Sequence, residues 1–457
     1  MKNRIFAAAT AALLLTTAGA PTFTGGVAHG KTGAAAAPVL ATPEQRAAEK
    51  HLLTLLADPA IKAAQQAIIA DLKKDPGAST TDGAARLTHA VDQWTTSLIL
   101  RELAADPVRP SIVWTTDNTP HSWFGYTVPG AAVAGDNPDH IYRNSFLQPN
   151  GQYEISGTVD LQHRPAQFSF EVTRGTAGKL GLARQTRDHA DMGNLLGMIT
   201  DRDIKVEPDG RFKIIIGGTG GGTNHLPGST EPFSLNIRDV LSDWTQRPNA
   251  LTIRRLDATD AKPLSDAVIR KRVLEDISGY VRFWAAFKDS WFGGLQPNSI
   301  VGPVQRDGNW GFLAAGRYKL APDEAVVLKT THGTARYTGV QVTDPWMVAP
   351  SASTFQTSIN SAQSTPDADG GYTYVISPVD PGVANWIDTG GLHEGYFLAR
   401  WQGFDKGAKS DGLLQSFTVA KLADIRSGLT GVPRFDADKR RRQVAEHTAA
   451  YSLRTKP

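Results

Sequence analysis

The spacing of apolar positions changes period several times along the chain. From about Pro43 to Asp106 it is helical: Leu52, Leu55 and Leu56, then Ile61, Ala64, Ile68 and Leu72, then Leu87, Val91, Trp94, Leu98 and Leu103. Thr42-Pro43-Glu44 supplies an N-cap residue, a first-turn proline and an early acid, and "KKDPGAST" separates a second helix from a third. From Trp114 to about Leu256 the period becomes two. "QYEISGTVDL", "AQFSFEVT", "RFKIIIG" and "PFSLNIRD" alternate and are β-branched, and Asn150-Gly151 and Asp209-Gly210 place turns just before strands. Ser265-Asp266 then caps a helical connector striped by Val273, Ile277, Val281 and Trp284. Strand alternation resumes from about Gly308 to Phe404, and a basic amphipathic segment closes the chain.

The two strand regions align with each other. "EPDGRFKIIIGGTGGGTNHLPGSTEPFSLNIRDVLSDW" begins at Glu207 and "DADGGYTYVISPVDPGVANWIDTGGLHEGYFLARWQGF" at Asp367. Asp209-Gly210 matches Asp369-Gly370, Asn224-His225-Leu226 matches Asn385-Trp386-Ile387, and Arg238 matches Arg400. Gly210 to Asn224 is 14 residues and Gly370 to Asn385 is 15, and the Asn-to-Arg intervals are again 14 and 15. A repeated strand–loop–strand unit follows. Within it the Asn either ties its loop to the backbone, or the two loops line a shared cleft.

The pattern predicts a mainly β protein: two tandem jelly-roll-like β-sandwiches with a helical N-terminal unit, a helical connector and a helical C-terminal tail. The expected divisions are 43–110 for the helical unit, 111–258 and 296–416 for the sandwiches, 259–295 for the connector and 417–457 for the tail. At 457 residues, more than one core is expected. Lys2 and Arg4, the apolar run from Phe6 to Leu15 and the small residues after it make 1–30 an expected secretory signal, with a flexible lead-in over 31–42. There is no Cys, so neither disulfides nor thiolate chemistry is available. The net charge of +3 points away from nucleic acid, and no later apolar run has the length of a membrane anchor.

Several stretches resemble a family of bacterial proteins known only as a domain of unknown function: "GDNPDHIYR", "RDVLSDW", "QTSINSAQ", "DPGVANWIDTGG" and "RWQGF". The resemblance spans about Trp114 to Phe404. It implies duplicated jelly-roll-like β-sandwich halves and implies no reaction.

Candidate chemistry centres on "GDNPDHIYR", where Asp136, Asp139, Tyr142 and Arg143 crowd a proline turn. Paired carboxyls beside a His and an Arg suit acid/base work, and the same residues suit Asx turn closure. Glu394, after the second repeated loop, is a third candidate catalytic carboxylate. Trp123, Trp346 and Trp386 offer stacking faces, and His225, Arg238 and Arg400 belong to the repeat. No Gly-x-Ser-x-Gly elbow or P-loop ending occurs, and the scattered His residues show no metal-ligand spacing. The expectation is a secreted protein acting on an extracellular polymer, a glycan, by acid/base hydrolysis or lysis at a cleft between the sandwiches. A non-catalytic carbohydrate- or envelope-binding protein using the same cleft is the alternative, and neither reading calls for a cofactor or a metal.

Overall fold

The computed structural model describes residues 37–175, 177–179, 194–306 and 310–456. The expected signal over 1–30, and the lead-in as far as residue 36, lie outside the described residues.

Three helices open the described chain: α1 (Pro43–Leu56), α2 (Pro59–Leu72) and α3 (Thr81–Leu103). Each starts where a side chain accepts orphan N–H groups: Thr42 from Gln45, Asp58 from Ala60 and Ile61, Thr80 from Gly83. The stripe on α3 puts Trp94, Leu98 and Ile99 fully inside. Against them pack Val273, Ile277 and Val281 of the connector, α4 (Asp266–Phe292). The connector is therefore part of a central apolar cluster.

The first strand region holds β1 (Val113–Thr116), a small hairpin β2 (His121–Trp123) and β3 (Tyr126–Val128), then β4 (His140–Leu147), β5 (Tyr153–Thr158), β6 (Gln167–Arg174), β7 (Leu195–Thr200), β8 (Arg211–Ile216), β9 (His225–Leu226), β10 (Phe233–Val240) and β11 (Ala250–Arg255). The second holds β12 (Ser299–Gln305), β13 (Gly311–Lys319), β14 (Glu324–Thr330), β15 (Tyr337–Thr343), β16 (Ser358–Asn360), β17 (Tyr372–Ser377), β18 (Trp386–Asp388), β19 (Glu394–Gln402) and β20 (Leu414–Lys421). Two short helices follow, α5 (Leu422–Gly428) and α6 (Ala437–Tyr451). The expected tail thus begins as strand, because "LQSFTVAK" pairs with β14.

With the β2–β3 hairpin set aside, the sheets of the two regions have one topology. In the first the orders are β1-β4-β10-β6-β7 and β11-β5-β8-β9, and in the second β12-β13-β19-β15-β16 and β20-β14-β17-β18. Taken in chain order, each described strand finds its counterpart, including a parallel pair in each sandwich, β8·β9 and β17·β18. Each sandwich closes its own core. Phe168, Phe170, Ile214 and Leu235 fill the first, and Tyr318, Leu328, Phe397 and Trp401 the second.

The repeated Asn is a backbone clamp in both copies. Asn224 accepts from the Lys205 N–H at 2.7 Å and donates to the Lys205 carbonyl at 3.0 Å. Asn385 makes the same two bonds with Thr365, both at 2.8 Å. Asn224 sits at φ 63°, a left-handed conformation that Asn tolerates. His225 and Trp386 follow on the strand edges, held by the Gly217 carbonyl at 3.0 Å and the Ser377 carbonyl at 3.1 Å. Asn385→Ala removes a fully buried clamp from the half-buried Thr365 backbone and should cost about 2 kcal/mol, whereas Asn224→Ala, on the exposed Lys205, should cost about 1 kcal/mol or less. Urea unfolding of the two variants measures both values; equal small losses would remove the clamp.

Candidate functional site

A sheet has two faces, and the five-stranded sheets use theirs differently. In β10, Phe233, Leu235 and Ile237 enter the sandwich core, so Ser234, Asn236 and Arg238 face the other way. In β19 the matching outward residues are Tyr396, Leu398 and Arg400. The cross-strand register extends the match. Arg238 lies opposite Tyr142 and Ser169, and Arg400 opposite Leu313 and Gly339. Asn236 lies opposite Asn144 and Glu171, and Leu398 opposite Ala315 and Gln341. Where the second copy carries Leu, Ala and Leu, the first carries Tyr, Asn and Asn. The apolar face packs into the central cluster with the helices. The polar face lines a cavity of about 250 Å³.

The cavity floor is a hydrogen-bonded polar row running across four strands. Thr115 on β1 donates to Asn144 on β4, the Asn144 amide donates to Asn236 on β10 at 2.6 Å, and Asn236 donates to Thr173 on β6 at 3.0 Å. Arg238 forms an ion pair with Glu171 at 3.2 Å. Phe146 continues the floor, Tyr280, Trp284 and Phe287 of α4 line the cavity with it, and Trp310 and Arg400 come from the second sandwich. The site thus lies between the sandwiches, with polar groups fixed on rigid strands and aromatic rings around them.

The "GDNPDHIYR" turn divides its residues between two jobs. Gly135, at φ 73°, brings the chain past Met347, and its carbonyl accepts from Arg400 Nη2 at 2.6 Å. Asp136 lines the cavity, is 3% exposed, and leaves Oδ1 without a hydrogen-bond partner among the described residues. Burial pushes its carboxyl well above the ordinary aspartate value, only partly offset by the Asn118 side chain and the Arg400 charge. Tyr142 also lines the cavity; its hydroxyl accepts from the Asn137 N–H at 3.0 Å and lies 3.1 Å from His140 Nδ1. His140 is held well below its usual value by burial and by Arg400, Arg238 and Arg306.

Asp139 does something else. It is fully buried outside the cavity lining and accepts from Trp244 Nε1 at 2.8 Å, the Tyr337 hydroxyl at 2.8 Å and Asn360 Nδ2 at 3.1 Å. It joins the sandwiches. Arg143 turns to the opposite face of β4 from Tyr142 and binds Asp239 at 2.5 Å and the Asn249 carbonyl at 2.7 Å.

The remaining sequence candidates fall away from the cavity. Glu394 begins β19, buried with neither oxygen hydrogen-bonded among the described residues, while its N–H donates to Asp82 at 3.1 Å. Trp123 donates to the buried Glu49 at 2.7 Å, Trp346 donates to the Gly83 carbonyl at 2.8 Å, and Trp386 stacks beneath Arg440. The two repeated loops lie on the four-stranded sheets and do not line the cavity. Of the residues singled out from sequence, Asp136, Tyr142, Arg238 and Arg400 converge. Asn144, Glu171, Asn236 and Trp310 were missed, although polar residues at alternate positions of otherwise core-like strands were a signal for three of them. Among the described residues no group of three His, Asp or Glu is placed to hold a metal ion.

No family model matches the chain, and no curated protein matches it either. Among solved structures it is similar to an uncharacterised protein from Burkholderia cenocepacia, with a TM-score of 0.64 and 20% identity over 81% of this chain and 99% of that one. A protein from Vibrio parahaemolyticus matches with a TM-score of 0.36 and 12% identity, over 63% of this chain and 90% of that one. At such identities the first likeness extends to the fold alone.

Two outcomes test the division of roles in the turn. Asp139→Ala leaves three buried donors facing nothing and should lower unfolding free energy by about 3 kcal/mol. Asp136→Asn should behave oppositely, and its sign follows from linkage. The folded state holds the Asp136 proton more tightly than the unfolded state, so wild-type stability falls as pH rises from the ordinary value of 3.8 through the raised one. The amide has no such loss. Its stability relative to wild type should therefore rise as pH increases from about 4, as read by urea unfolding at several pH values. A constant difference would mean that Asp136 is not held protonated.

Proposed function

We propose that this is a secreted glycan-recognition protein whose ligand enters the cavity between the two sandwiches. The observation that carries the reading is the difference between the copies. Asn144 and Asn236, in the middle of the polar row from Thr115 to Thr173, stand where the duplicate carries Ala315 and Leu398. Buried polar groups contribute less to stability than well-packed apolar ones of similar size, so their presence in one copy calls for a use. Fixed amides and hydroxyls beside Trp and Tyr rings suit a sugar, whose rings have an apolar face and a polar rim. The cavity's size favours a single sugar unit or the end of a chain. Secretion enters through the residues of 1–30 and remains part of the proposal, as does membership of the bacterial family of unknown function.

A hydrolytic or lytic activity is favoured by one further feature. Asp136, whose carboxyl burial pushes well above the ordinary aspartate value, and Glu171, ion-paired to Arg238, are two carboxyl groups in unlike settings on one cavity. The first would donate a proton to a leaving oxygen and the second would accept one. Asp139 and Glu394 have no part in this.

The test copies the second sandwich onto the first. Asn144→Ala with Asn236→Leu installs the duplicate's residues at both positions. The double variant should lose at least about tenfold in affinity for whichever mono- to tetrasaccharide the wild type binds in calorimetry, while keeping or raising its melting temperature. Unchanged binding would remove the cavity from the function. If turnover is detected, Asp136→Asn should abolish it and leave binding in place.

A further inference from the structure

The hydrogen bonds of the "GDNPDHIYR" turn fix where the Tyr142 hydroxyl sends its proton. The Asn137 side-chain oxygen accepts from the Asp139 N–H at 2.9 Å, so its amide nitrogen is the atom facing Tyr337 and His140. That nitrogen donates to the Tyr337 hydroxyl at 2.6 Å, and Tyr337 in turn donates to Asp139 at 2.8 Å. The second amide hydrogen faces His140 Nε2 at 3.5 Å, where a protonated ring nitrogen would set one donor against another. His140 therefore carries its proton on Nδ1, and Nδ1 donates to the Tyr142 oxygen at 3.1 Å. Burial, with the charges of nearby arginines, holds the ring toward its neutral form. The Tyr142 oxygen also accepts from the Asn137 backbone N–H at 3.0 Å. A phenol oxygen that has accepted twice has one function left, to donate. Tyr142 lines the cavity, and no acceptor for its proton lies among the described residues. Burial raises the phenol above its ordinary value, so the proton stays on it.

A second observation has the same polarity. In the polar row, Asn144 Nδ2 faces the Leu235 carbonyl at 3.5 Å, a group that only accepts, and donates to Asn236 Oδ1 at 2.6 Å. That orients the Asn236 amide, whose nitrogen donates to Thr173 Oγ1 at 3.0 Å. Thr173 lines the cavity as well, and its hydroxyl, having accepted, has its own proton to give. The duplicate carries Leu313 where the first copy has Tyr142, so the fold itself requires no hydroxyl there.

We propose that Tyr142 determines the specificity of the cavity as a one-way donor, giving its hydroxyl proton to an oxygen of the sugar and accepting nothing from it. The inference rests on the glycan reading of the cavity and names the feature that is read, a sugar oxygen presented as an acceptor, with Thr173 donating to a second. A sugar with only hydrogen at the first position leaves the Tyr142 donor unpaired once the ligand covers it, which is the costly kind of mismatch.

Two measurements on the full chain test this. The first needs no ligand. NMR of the protein with isotope-labelled histidine nitrogen, at neutral pH, should show His140 protonated at Nδ1, its signal assigned by loss in His140→Gln. A proton on Nε2 with a bare Nδ1 overturns the inference, because Tyr142 would then donate to His140. The second uses sugars. The methyl glycosides of glucose, galactose, mannose and N-acetylglucosamine are titrated into the protein, and the tightest binder is compared with its deoxy and deoxyfluoro analogues at each hydroxyl in turn. At one position the deoxy analogue should bind at least about tenfold weaker than the parent. The fluoro analogue there, which keeps an acceptor and has no proton to give, should stay within about threefold. Tyr142→Phe, its folding checked by a melting curve, should bind the parent and that deoxy analogue alike. If Tyr142→Phe does not fold, the wild-type series and the His140 tautomer decide. Equal losses for deoxy and fluoro analogues at every position, or deoxy penalties that all persist in Tyr142→Phe, overturn the inference and leave the glycan cavity in place. Binding of none of the four glycosides overturns the glycan reading with it.

Discussion

Asp139 holds the two halves of this protein in register. Its carboxylate is shut off from bulk solvent and receives an indole N–H from the first sandwich, through Trp244, and a hydroxyl and an amide from the second, through Tyr337 and Asn360. Burial pushes the carboxyl above the ordinary aspartate value, and these three donors work against that push. An arrangement of this kind tolerates little displacement, because any donor drawn away leaves a buried acceptor unpaired. The turn that carries Asp139 also carries Gly135 and Asp136, and it leads directly into β4. The Arg400 contact to Gly135 and the Gln341 contact to the Asp136 carbonyl, both at 2.6 Å, tie the other end of the turn to the second sandwich. The cavity is therefore positioned by the junction between the sandwiches, so its geometry depends on both halves being folded.

The helices complete the site from a third side. α4 runs from one sandwich to the other, so its sequence reads as a connector, but its apolar stripe is spent on α3 and on the central cluster. That packing fixes Tyr280, Trp284 and Phe287 beside the polar floor. Tyr280 also exchanges a hydrogen bond with Ser97 of α3 at 3.0 Å, so the aromatic wall is anchored to both helices. A wall held this way can present ring faces to a ligand without first losing rotamer freedom, which is the usual entropic cost of binding.

How much of this was legible in the sequence depended on the range of the interaction. The helices showed in period and caps, and the duplication showed in the spacing of Gly, Asn and Arg, because such features repeat within some dozens of residues. The sequence allows the Asn clamps as one of two readings, but their partners Lys205 and Thr365 lie 19 and 20 residues away, beyond the reach of turn chemistry. The site was half visible. Asp136 and Tyr142 stand in a conspicuous polar turn, and Arg238 and Arg400 in the repeat, but their convergence requires the two five-stranded sheets to meet. Asp139 and Arg143 looked like chemistry for the same reason that they are structural: buried charged groups gather partners, and sequence shows the charge without the burial. Trp346 and Trp386 misled similarly, since an aromatic ring in a loop serves a core as well as a ligand. The expected boundary at residues 416 and 417 cuts through β20, whose alternation is short and whose outward residues are polar.

Duplication supplies a comparison inside one molecule that a single-copy fold lacks. Both sandwiches solve the same packing problem with the same strand order, so differences at matched positions are not explained by topology. Across the matched faces, Tyr142 stands against Leu313, Asn144 against Ala315, and Asn236 against Leu398. Leu313, Ala315 and Leu398 pack into the central cluster, with Leu398 also reaching the cavity wall, while Tyr142, Asn144 and Asn236 face the open volume. The central helices thus cover more of one copy's face than of the other's, and the less covered face carries the polar groups. Glu171 against Gln341 runs the other way: here the cavity-bearing copy keeps the acid, and the amide lies beside an arginine that reaches in from its neighbour. One exchange sets the lining of the site, and the other sets which arginine is held by an acid and which by an amide.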